Sequence, residues 1–244
     1  MNYLFFDIEC CNGYHICSFG YVIIDEEFNI IRKEDFIINP KKKFKLGRAN
    51  FDPEINLAYT QEVFKQQPEF NYYYGKIKKL LKNNTVLGHS ISSDINYLKI
   101  ACKRYKRPLI HQEIFDTQKL YGKLYKEKDI SLEKIANKLH IDISFLIKHK
   151  SCDDAHISML ILKEICKQKN CSIMKILKNN KDCFIESDSI YYKKKKEIKN
   201  DIMSVAFRKA FKKKNIENDD WKNLFVKNKG DKKLWNVQIV VVKI

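Results

Sequence analysis

Residues 2–9 read Asn2-Tyr-Leu-Phe-Phe-Asp-Ile-Glu9, an apolar and aromatic run that ends in two acidic residues. Residues 3–8 have the composition of a buried strand. Side chains alternate between the faces of a strand, so Asp7 and Glu9 point the same way, with Cα atoms roughly 7 Å apart. Two carboxylates on a hydrophobic strand are costly unless a positive charge compensates them. The segment therefore predicts either a divalent cation site for Mg²⁺ or Mn²⁺, or a strand that ends at Asp7 with both acids in solvent.

The remainder of the chain has the pattern of an α/β fold. Three strand-like segments come first, and shorter strand-like segments then alternate with helix-like segments. That order is typical of a mixed, twisted sheet flanked by helices. The predicted strands are residues 3–8, 14–25, 28–39, 85–88 and 109–115. The predicted helices are residues 52–66, 69–82, 92–105, 117–125 and 131–139, and a last strong helix opens at Ser151.

The composition changes near residue 175. Residues 175–244 contain 19 Lys+Arg against 9 Asp+Glu, and their pattern predicts a helix over residues 200–214 and a strand over residues 235–244. The density of Val and Ile in that last segment indicates a folded tail and not a loose basic arm. We therefore divide the chain into an α/β domain over residues 1–174 and a small basic α+β extension over residues 175–244, whose role is unknown.

The composition limits the classes of protein to which the chain can belong. Hydrophobic residues make up 44% of its 244 residues, which suffices for a packed core. Neither an apolar run of about 18 residues nor a signal peptide is found, so we expect a soluble, cytoplasmic protein without a membrane partner. The eight cysteines include no C-x-x-C pair, so reduced thiols are expected and not disulfides or a zinc site.

The formal net charge of +17 favours an anionic partner. A field of that sign attracts nucleic acid first and an anionic membrane surface second. The abundance of Lys, Asn and Ile would also follow from an AT-rich genome, so the charge supports a nucleic-acid partner without proving one.

Three residues further along the chain bear on the first two acids. Asp94 stands near the start of a predicted helix, after the end of a short strand, where ligands bind in open α/β sheets. Asp154 lies in the first turn of the last strong helix, and four residues separate it from His149. Each has a structural alternative. Asp94 could interact with the helix dipole, and Asp154 could form an S-x-x-D capping box with Ser151. His149 could be a surface residue between two lysines.

Taken together, the four acids and the histidine resemble the DEDDh 3′–5′ exonucleases, a DnaQ-like family with the ribonuclease-H-like fold. That family carries Asp-x-Glu in its first strand, a second Asp near the start of a middle helix, and a His followed after four residues by an Asp. The resemblance covers roughly residues 1–170 and implies a ribonuclease-H-like mixed sheet. The matching segments are Phe6-Asp7-Ile8-Glu9, Gly88-His89-Ser90-Ile91-Ser92-Ser93-Asp94 and His149-Lys-Ser-Cys-Asp-Asp154-Ala155.

Three positions depart from the usual pattern of that family. Cys10 stands where a Thr usually follows the Glu, Ser90 where an Asn usually follows the His of the second motif, and Ser93 where a Phe usually precedes the Asp. These positions shape the nucleotide pocket more than they hold metal, so they affect the substrate more than the activity. Asp153 is an alternative to its neighbour Asp154, which the spacing of the motif favours.

The resemblance implies that four carboxylates hold two Mg²⁺ ions, for which Mn²⁺ could substitute. Asp7 would bridge both ions. Glu9 and Asp154 would hold the ion that carries the nucleophile, and Asp94 would support the second ion. His149 would be the general base, a role for which an unperturbed histidine pKa of about 6.5 is suitable.

The resemblance further implies that a single-stranded 3′ end enters the site and that nucleoside 5′-monophosphates are released. The residues expected to contact the terminal nucleotide are Ile8, Glu9, His89 and His149. For His89, a hydrogen bond within the core is an open alternative.

We therefore expect an enzyme, a metal-dependent 3′–5′ exonuclease that hydrolyses single-stranded DNA ends in repair or proofreading. Two alternatives stay open: an exoribonuclease that acts on RNA ends, and a non-catalytic nucleic-acid-binding module on the same fold. A proofreading role would require a DNA polymerase as partner. The sequence does not indicate the oligomeric state.

Overall fold

The predicted first strand lies at the centre of the sheet. In the computed structural model, which describes residues 1–42, 57–128 and 130–191, this strand is β1 (Tyr3–Cys11). The other strands of the described residues are β2 (His15–Ile24), β3 (Ile30–Ile37), β4 (Thr85–Gly88), β5 (Glu113–Asp116) and β6 (Phe184–Glu186). Their α-helices are α1 (Gln61–Lys65), α2 (Phe70–Lys82), α3 (Ser92–Arg104), α4 (Thr117–Tyr125), α5 (Leu132–Lys138), α6 (Ser151–Gln168) and α7 (Ile173–Asn179).

The strands form one sheet in the order β3-β2-β1-β4-β5-β6. β1, β2 and β3 form an antiparallel meander. On the other side, β4 pairs in parallel with β1 and β5 in parallel with β4, while β6 is antiparallel to β5. The predicted mixed sheet flanked by helices is therefore confirmed. None of the helices in the described ranges combines the length and the hydrophobicity that crossing a membrane requires.

The alternation of side chains along β1 divides the core into two layers. Leu4 and Phe6 belong to the hydrophobic cluster that contains the apolar residues of α2 and α3. Phe5, on the opposite face, belongs to the cluster that contains the apolar residues of α4 to α7. Asp7 and Glu9 continue the face of Phe5. Both acids therefore project toward the layer that holds α6.

Two predicted elements differ most in their bounds from the structure. The strand predicted over residues 109–115 begins only at Glu113, because its pairing partners begin opposite Glu113 in β6 and opposite Ile114 in β4. The helix predicted over residues 52–66 is helical only over Gln61–Lys65 within its described part. Thr60 starts this short helix, since its side chain accepts the N–H of Val63 at 3.5 Å. The predicted start at residues 52–53 lies outside the described residues.

The sheet continues beyond residue 174. β6 pairs with β5 and lies in the segment that the sequence assigns to the basic extension. The helix predicted over residues 200–214 and the strand predicted over residues 235–244 lie outside the described residues, so the proposed extension stays a prediction.

Gly20 of β2 allows α6 to begin directly on the sheet. Gly20 is opposite Asp7 of β1 and opposite Asp35 of β3. A Cβ atom at this position would lie 1.9 Å from the backbone nitrogen of Cys152 and 2.1 Å from the backbone carbonyl carbon of Ser151. Since no side chain fits in that space, the absence of a Cβ atom lets the first turn of α6 approach the strand beside Asp7.

We expect Gly20→Ala to destabilise the protein by at least about 1–3 kcal/mol, the usual cost of overpacking, because the new Cβ atom would displace the backbone of α6. Urea unfolding measures this change. Gly75→Ala is the matched control, since Gly75 is an exposed residue of α2 and its Cβ atom would meet nothing within 4 Å. Alanine in that helix should stabilise by about 0.5–1 kcal/mol. The same loss of stability in both variants would contradict the close approach of α6.

Candidate active site

Glu9, His149 and Asp154 form a compact cluster at the end of β1. One potential metal-ligand atom from each residue lies within 4.8 Å of the other two. His149 Nδ1 is 3.1 Å from Glu9 Oε1, a hydrogen bond between residues 140 positions apart in the sequence. The structure therefore brings together the first and the last of the predicted motifs.

A β-bulge lies next to Glu9. Glu9 is opposite Ser18 of β2, whereas the next residue, Cys10, is opposite Ile16. Cys17 is therefore the extra residue, and its thiol donates a hydrogen bond to the carbonyl oxygen of Glu9 at 3.3 Å. Bulges beside functional sites change the direction of a side chain, and this bulge lies next to Glu9, the second acid of β1.

His149 has a left-handed backbone conformation, with φ at 57°. Such a conformation is uncommon outside glycine and is maintained only where surrounding contacts impose it. One of these contacts is a hydrogen bond from the N–H of Ala58 to the His149 carbonyl oxygen at 3.3 Å. α6 begins two residues later, so the chain turns sharply between the histidine and the helix that carries Asp154.

The start of α6 does not form the capping box considered for Ser151 and Asp154. The N-cap residue is Lys150, which makes no side-chain capping hydrogen bond, and Ser151 is the first helical residue. The Ser151 hydroxyl instead forms a hydrogen bond with the Ser18 hydroxyl of β2. Asp154 therefore lies one position beyond the third helical residue that a capping box would use.

Asp153, the alternative to Asp154, is engaged elsewhere. Its carboxylate lies 2.5 Å from Lys33 Nζ and accepts the N–H of Ile147 at 3.0 Å, and Lys150 Nζ lies 3.6 Å away. Burial acts to raise the pKa of Asp153, but these hydrogen bonds and positive charges hold it below the ordinary value. Asp153 is thus an ion-paired residue, whereas Asp154 lies with Glu9 and His149.

Asp94 approaches the end of β1 from the layer that holds α2 and α3. It is the third residue of α3, and its side chain is buried. The N–H of Ile8 donates a hydrogen bond to its carboxylate, which ties the start of α3 to the end of β1. The side chain of Ile8 is buried in the hydrophobic core. The predicted contact of Ile8 with the nucleotide, partly through its backbone, stays a prediction.

Burial and mutual repulsion raise the pKa of three of the acids. Burial, followed by the charges of Asp94, Glu9 and Asp154, raises the pKa of Asp7 well above its ordinary value. Burial also raises the pKa of Asp94, with a further contribution from the charge of Glu9. For Asp154, burial and then the charge of Glu9 raise the pKa to about 7. A divalent cation would relieve this repulsion, and carboxylate oxygens suit Mg²⁺ or Mn²⁺, so the donor set fits such ions.

His89 makes internal hydrogen bonds. Its Nδ1 lies 3.2 Å from Thr117 Oγ1, and its Nε2 lies 3.2 Å from the carbonyl oxygen of Ile130. Burial lowers the pKa of His89 and so favours the neutral ring. Both ring nitrogens have partners within the protein, which agrees with the core hydrogen bond considered as an alternative, and contact with a nucleotide stays a prediction.

Two residues beside the cluster could not be identified from the sequence. Asp35 of β3 accepts the backbone N–H of Cys152 in the first turn of α6 at 2.8 Å. Tyr97 of α3 has its pKa raised to about 12, first by burial and then by the charges of nearby groups that include Asp94 and Glu9. Asp35 lies among charged residues of a half-exposed strand, and Tyr97 lies in an ordinary helical pattern, so neither residue stands out without the tertiary structure.

Comparison with known proteins assigns the family. The model of the DEDDh C-terminal domain family, described as DNA polymerase III subunit epsilon-like, C-terminal domain, matches residues 14–165, more than half of the chain. The chain belongs to the DEDDh family. The resemblance inferred from the sequence is thereby confirmed. Members of this family use divalent metal ions, in agreement with the donor set at the end of β1.

Solved structures of DEDDh exonucleases share the fold. The nuclease domain of 3′hExo, a DEDDh family member bound to rAMP, is 18% identical, with a TM-score of 0.53 over 70% of this chain and 92% of that chain. A 3′-exonuclease that specifically recognises the 3′ end of a histone mRNA stem-loop is also 18% identical. Its TM-score is 0.55 over 70% of this chain and 64% of that chain. Exonuclease I of E. coli in complex with dA16 is 17% identical, with a TM-score of 0.50 over 68% and 41%.

These likenesses confirm the ribonuclease-H-like fold. The DEDDh chain described here spans less than two thirds of the length of two of these proteins, the histone mRNA 3′-exonuclease and Exonuclease I. No match was found among curated protein sequences.

The raised carboxylate pKa values predict how stability varies with pH. An acid with a higher pKa in the folded than in the unfolded state binds protons more tightly when folded. The metal-free protein should therefore lose stability as the pH rises between the two values. For Asp154 these are about 4 in the unfolded chain and about 7 in the folded protein.

We expect Asp7→Asn to raise the Tm of the metal-free protein at pH 8 by about 2–4 °C, which corresponds to roughly 1 kcal/mol, because it removes one of the repelling charges. The gain should shrink as the pH falls and Asp7 takes up a proton, and added Mg²⁺ should stabilise the variant less than the wild type. Thermal unfolding with and without chelator measures both effects. Asp182→Asn is the control, since Asp182 is an exposed acid paired with Lys123 at 2.7 Å. A lower Tm for Asp7→Asn at pH 8 would contradict the repulsion.

Proposed function

We propose that this DEDDh protein is a metal-dependent 3′–5′ exonuclease that hydrolyses phosphodiester bonds from single-stranded 3′ ends of DNA and releases nucleoside 5′-monophosphates, in repair or proofreading. The observation that supports the proposal most is the convergence of Glu9, His149 and Asp154 within 4.8 Å. Burial and then the charges of Asp94, Glu9 and Asp154 raise the pKa of Asp7, and burial and then the charge of Glu9 raise that of Asp94. A module that only binds nucleic acid has no use for such repelling acids.

The residues that would hold two divalent ions, Mg²⁺ or Mn²⁺, are Asp7, Glu9, Asp94 and Asp154. When bound, such ions lower the pKa of water and stabilise the negative charge that develops on the phosphate and the leaving oxygen. The protein's contribution is to fix the four carboxylates in place before the ions arrive. The N–H of Ile8 holds Asp94, and the docking of α6 on Gly20 holds Asp154 beside the end of β1.

His149 would accept the proton of the attacking water. Its Nδ1 forms a hydrogen bond with Glu9 Oε1. The neutral ring therefore donates the Nδ1 proton to Glu9 and carries its free lone pair on Nε2. Nε2 is therefore the atom that would take the proton. The hydrogen bond to Glu9 raises the pKa of His149 above its ordinary value. Since the base must be neutral, turnover should increase with pH as His149 loses its proton.

We expect His149→Ala to lower kcat by about 10²–10⁴-fold, the usual contribution of a general base, and to remove the acidic limb of the pH–rate profile. Calorimetry should show Mn²⁺ binding close to that of the wild type. The matched control is His111→Ala, because His111 is an exposed histidine whose Nδ1 lies 2.7 Å from a carboxylate oxygen of Asp188. A large loss of Mn²⁺ affinity in His149→Ala would instead make His149 a metal ligand.

An aromatic pair beside the carboxylates supports a single-stranded substrate. Tyr14, in the turn between β1 and β2, is 55% exposed, and its ring centroid lies 6.4 Å from that of Tyr97. The charges of Asp94 and Glu9 contribute to the raised pKa of Tyr97, which indicates that the pair lies near the cluster. Unpaired bases stack on exposed aromatic rings with little dependence on sequence, whereas the bases of a duplex are already stacked.

We expect Tyr14→Ala to raise KM for single-stranded oligonucleotides by about fivefold or more, since one stacked base contributes about 1–3 kcal/mol, while kcat changes little. Steady-state kinetics separates the two parameters. Tyr72→Ala is the control, because Tyr72 is 61% exposed but lies on α2, where it contacts Tyr73 and Lys76. If the KM of both variants increased equally, a general loss of surface tyrosine would be the cause and not the loss of a stacking site at the cluster.

The choice between DNA and RNA rests on the relatives. The family model is named for a DNA polymerase subunit, and Exonuclease I was solved with dA16, which favours DNA. The second candidate, an exoribonuclease, is favoured by the structures of 3′hExo with rAMP and of the 3′-exonuclease with a histone mRNA stem-loop. A cytoplasmic location and a polymerase partner stay predictions from the sequence.

The decisive experiment compares matched 5′-labelled DNA and RNA oligonucleotides with Mg²⁺, Mn²⁺ or chelator. We expect progressive shortening of DNA from the 3′ end that requires a divalent ion and is blocked by a modified 3′ terminus. Faster shortening of RNA would establish the second candidate. Asp7→Ala, prepared in parallel, distinguishes this protein from a contaminating nuclease. Degradation that survives both chelator and Asp7→Ala would refute the assigned site, and binding without cleavage would support the non-catalytic alternative.

A further inference from the structure

Asp35 takes the place of a capping side chain at the start of α6. The first N–H groups of a helix have no partner within the helix, and a side chain at the N-cap usually accepts one of them. The N-cap residue of α6, Lys150, makes no such bond. Asp35 Oδ1, which comes from β3, accepts the N–H of Cys152 at 2.8 Å instead. The helix that carries Asp154 is therefore capped by the sheet on which it packs.

The other oxygen of Asp35 is held by Tyr59. The Tyr59 hydroxyl donates to Asp35 Oδ2 at 2.8 Å, and the tyrosine ring packs edge-on against Phe64 of α1 at a centroid distance of 5.9 Å. The preceding residue, Ala58, donates its N–H to the carbonyl oxygen of His149. Two adjacent residues thus hold the segment that leads into α6 and its first turn. Ala58 contacts His149 before the helix, and Tyr59 fixes the Asp35 carboxylate that accepts the N–H of Cys152 in the helix.

Asp35 differs from the predicted metal ligands in its contacts. It is opposite Gly20 in the sheet, and its charge is one of the causes that raise the pKa of Asp7. Asp35 therefore lies close to the acidic cluster. Each of its two oxygens, however, already accepts a hydrogen bond, one from the backbone of α6 and one from Tyr59. This arrangement suits a residue that orients others better than it suits a residue that binds an ion.

We infer that Asp35 and Tyr59 are positioning residues, which hold the start of α6 so that His149 and Asp154 face Glu9. The inference rests on the proposed function for its effect on catalysis, but the placement of the helix is independent of substrate. Partners that orient the groups around a metal typically change metal affinity or activity by about 10- to 100-fold when they are removed.

The test uses Asp35→Ala, Asp35→Asn and Tyr59→Phe in the full chain. Three quantities are measured: hydrogen exchange of the amides in the first turn of α6, Mn²⁺ affinity by calorimetry, and kcat and KM on a single-stranded oligonucleotide. We expect Asp35→Ala to accelerate exchange in that turn and to lower both Mn²⁺ affinity and kcat by about 10- to 100-fold, with KM nearly unchanged. Asp35→Asn should recover most of the loss, since its amide oxygen can still accept the Cys152 N–H.

Tyr59→Phe keeps the test decisive if Asp35→Ala does not fold. Loss of its one hydrogen bond should lower kcat and Mn²⁺ affinity by about fivefold. Tyr105→Phe is the matched control, because the Tyr105 hydroxyl donates to Glu69 Oε2 at 3.0 Å, at the opposite end of α3 from Asp94. It should lose similar stability without a change in Mn²⁺ affinity or kcat.

Three results would overturn the inference. The first is a folded Asp35→Ala with wild-type exchange in α6, wild-type Mn²⁺ affinity and wild-type kcat. The second is an Asp35→Asn whose Mn²⁺ affinity is as low as that of Asp35→Ala, which would make Asp35 a ligand. The third is a Tyr59→Phe that behaves like Tyr105→Phe. If the wild type cleaves no oligonucleotide, the proposed function fails, while exchange and Mn²⁺ affinity still test the positioning.

Discussion

Repulsion among the acids at the end of β1 is the constraint on which the rest of the site depends. Burial raises the pKa of Asp7, Asp94 and Asp154, and the charge of Glu9 raises each further. Buried charges cost several kcal/mol when they are not compensated, so side-chain energetics alone would separate these groups. The backbone must therefore impose the arrangement, and the hydrophobic cores on both faces of the sheet supply the free energy that maintains it.

The backbone holds the acids close together through contacts that leave β1 and α6 little room to move. β1 is central in the sheet and cannot shift, because β2 and β4 pair with it on both sides. The start of α6 is fixed against the sheet, because its first turn packs on Gly20 and donates a backbone hydrogen bond to Asp35. His149, two residues before α6, has a left-handed conformation, and its carbonyl oxygen accepts the N–H of Ala58. The carboxylates are thus close together because the elements that carry them are fixed, and not because they attract one another.

The sequence predicted the parts of this arrangement that depend on local pattern. The hydrophobic run before Asp7 identified β1, and the alternation of side chains placed Glu9 on the same face. The mixed sheet followed from the order of strands and helices. The pattern could not indicate Asp35 or Tyr59, because their partners are a backbone N–H and a carboxylate that only the tertiary structure brings near. It also left His89 open between nucleotide and core, since the partners of its ring lie far along the chain, at Thr117 and Ile130.

Several exceptions to ordinary folding rules lie together at the proposed site. A strand that carries buried acids, a bulge beside Glu9, a left-handed histidine and a helix without its own cap all occur where β1 meets α6. Proteins generally satisfy local and global preferences together and depart from them where function requires it. A binding module could satisfy all of these preferences with neutral residues and would be more stable. The buried, mutually repelling acids are therefore an argument for catalysis that does not depend on the family, and divalent ions are the ligands that would make the arrangement favourable.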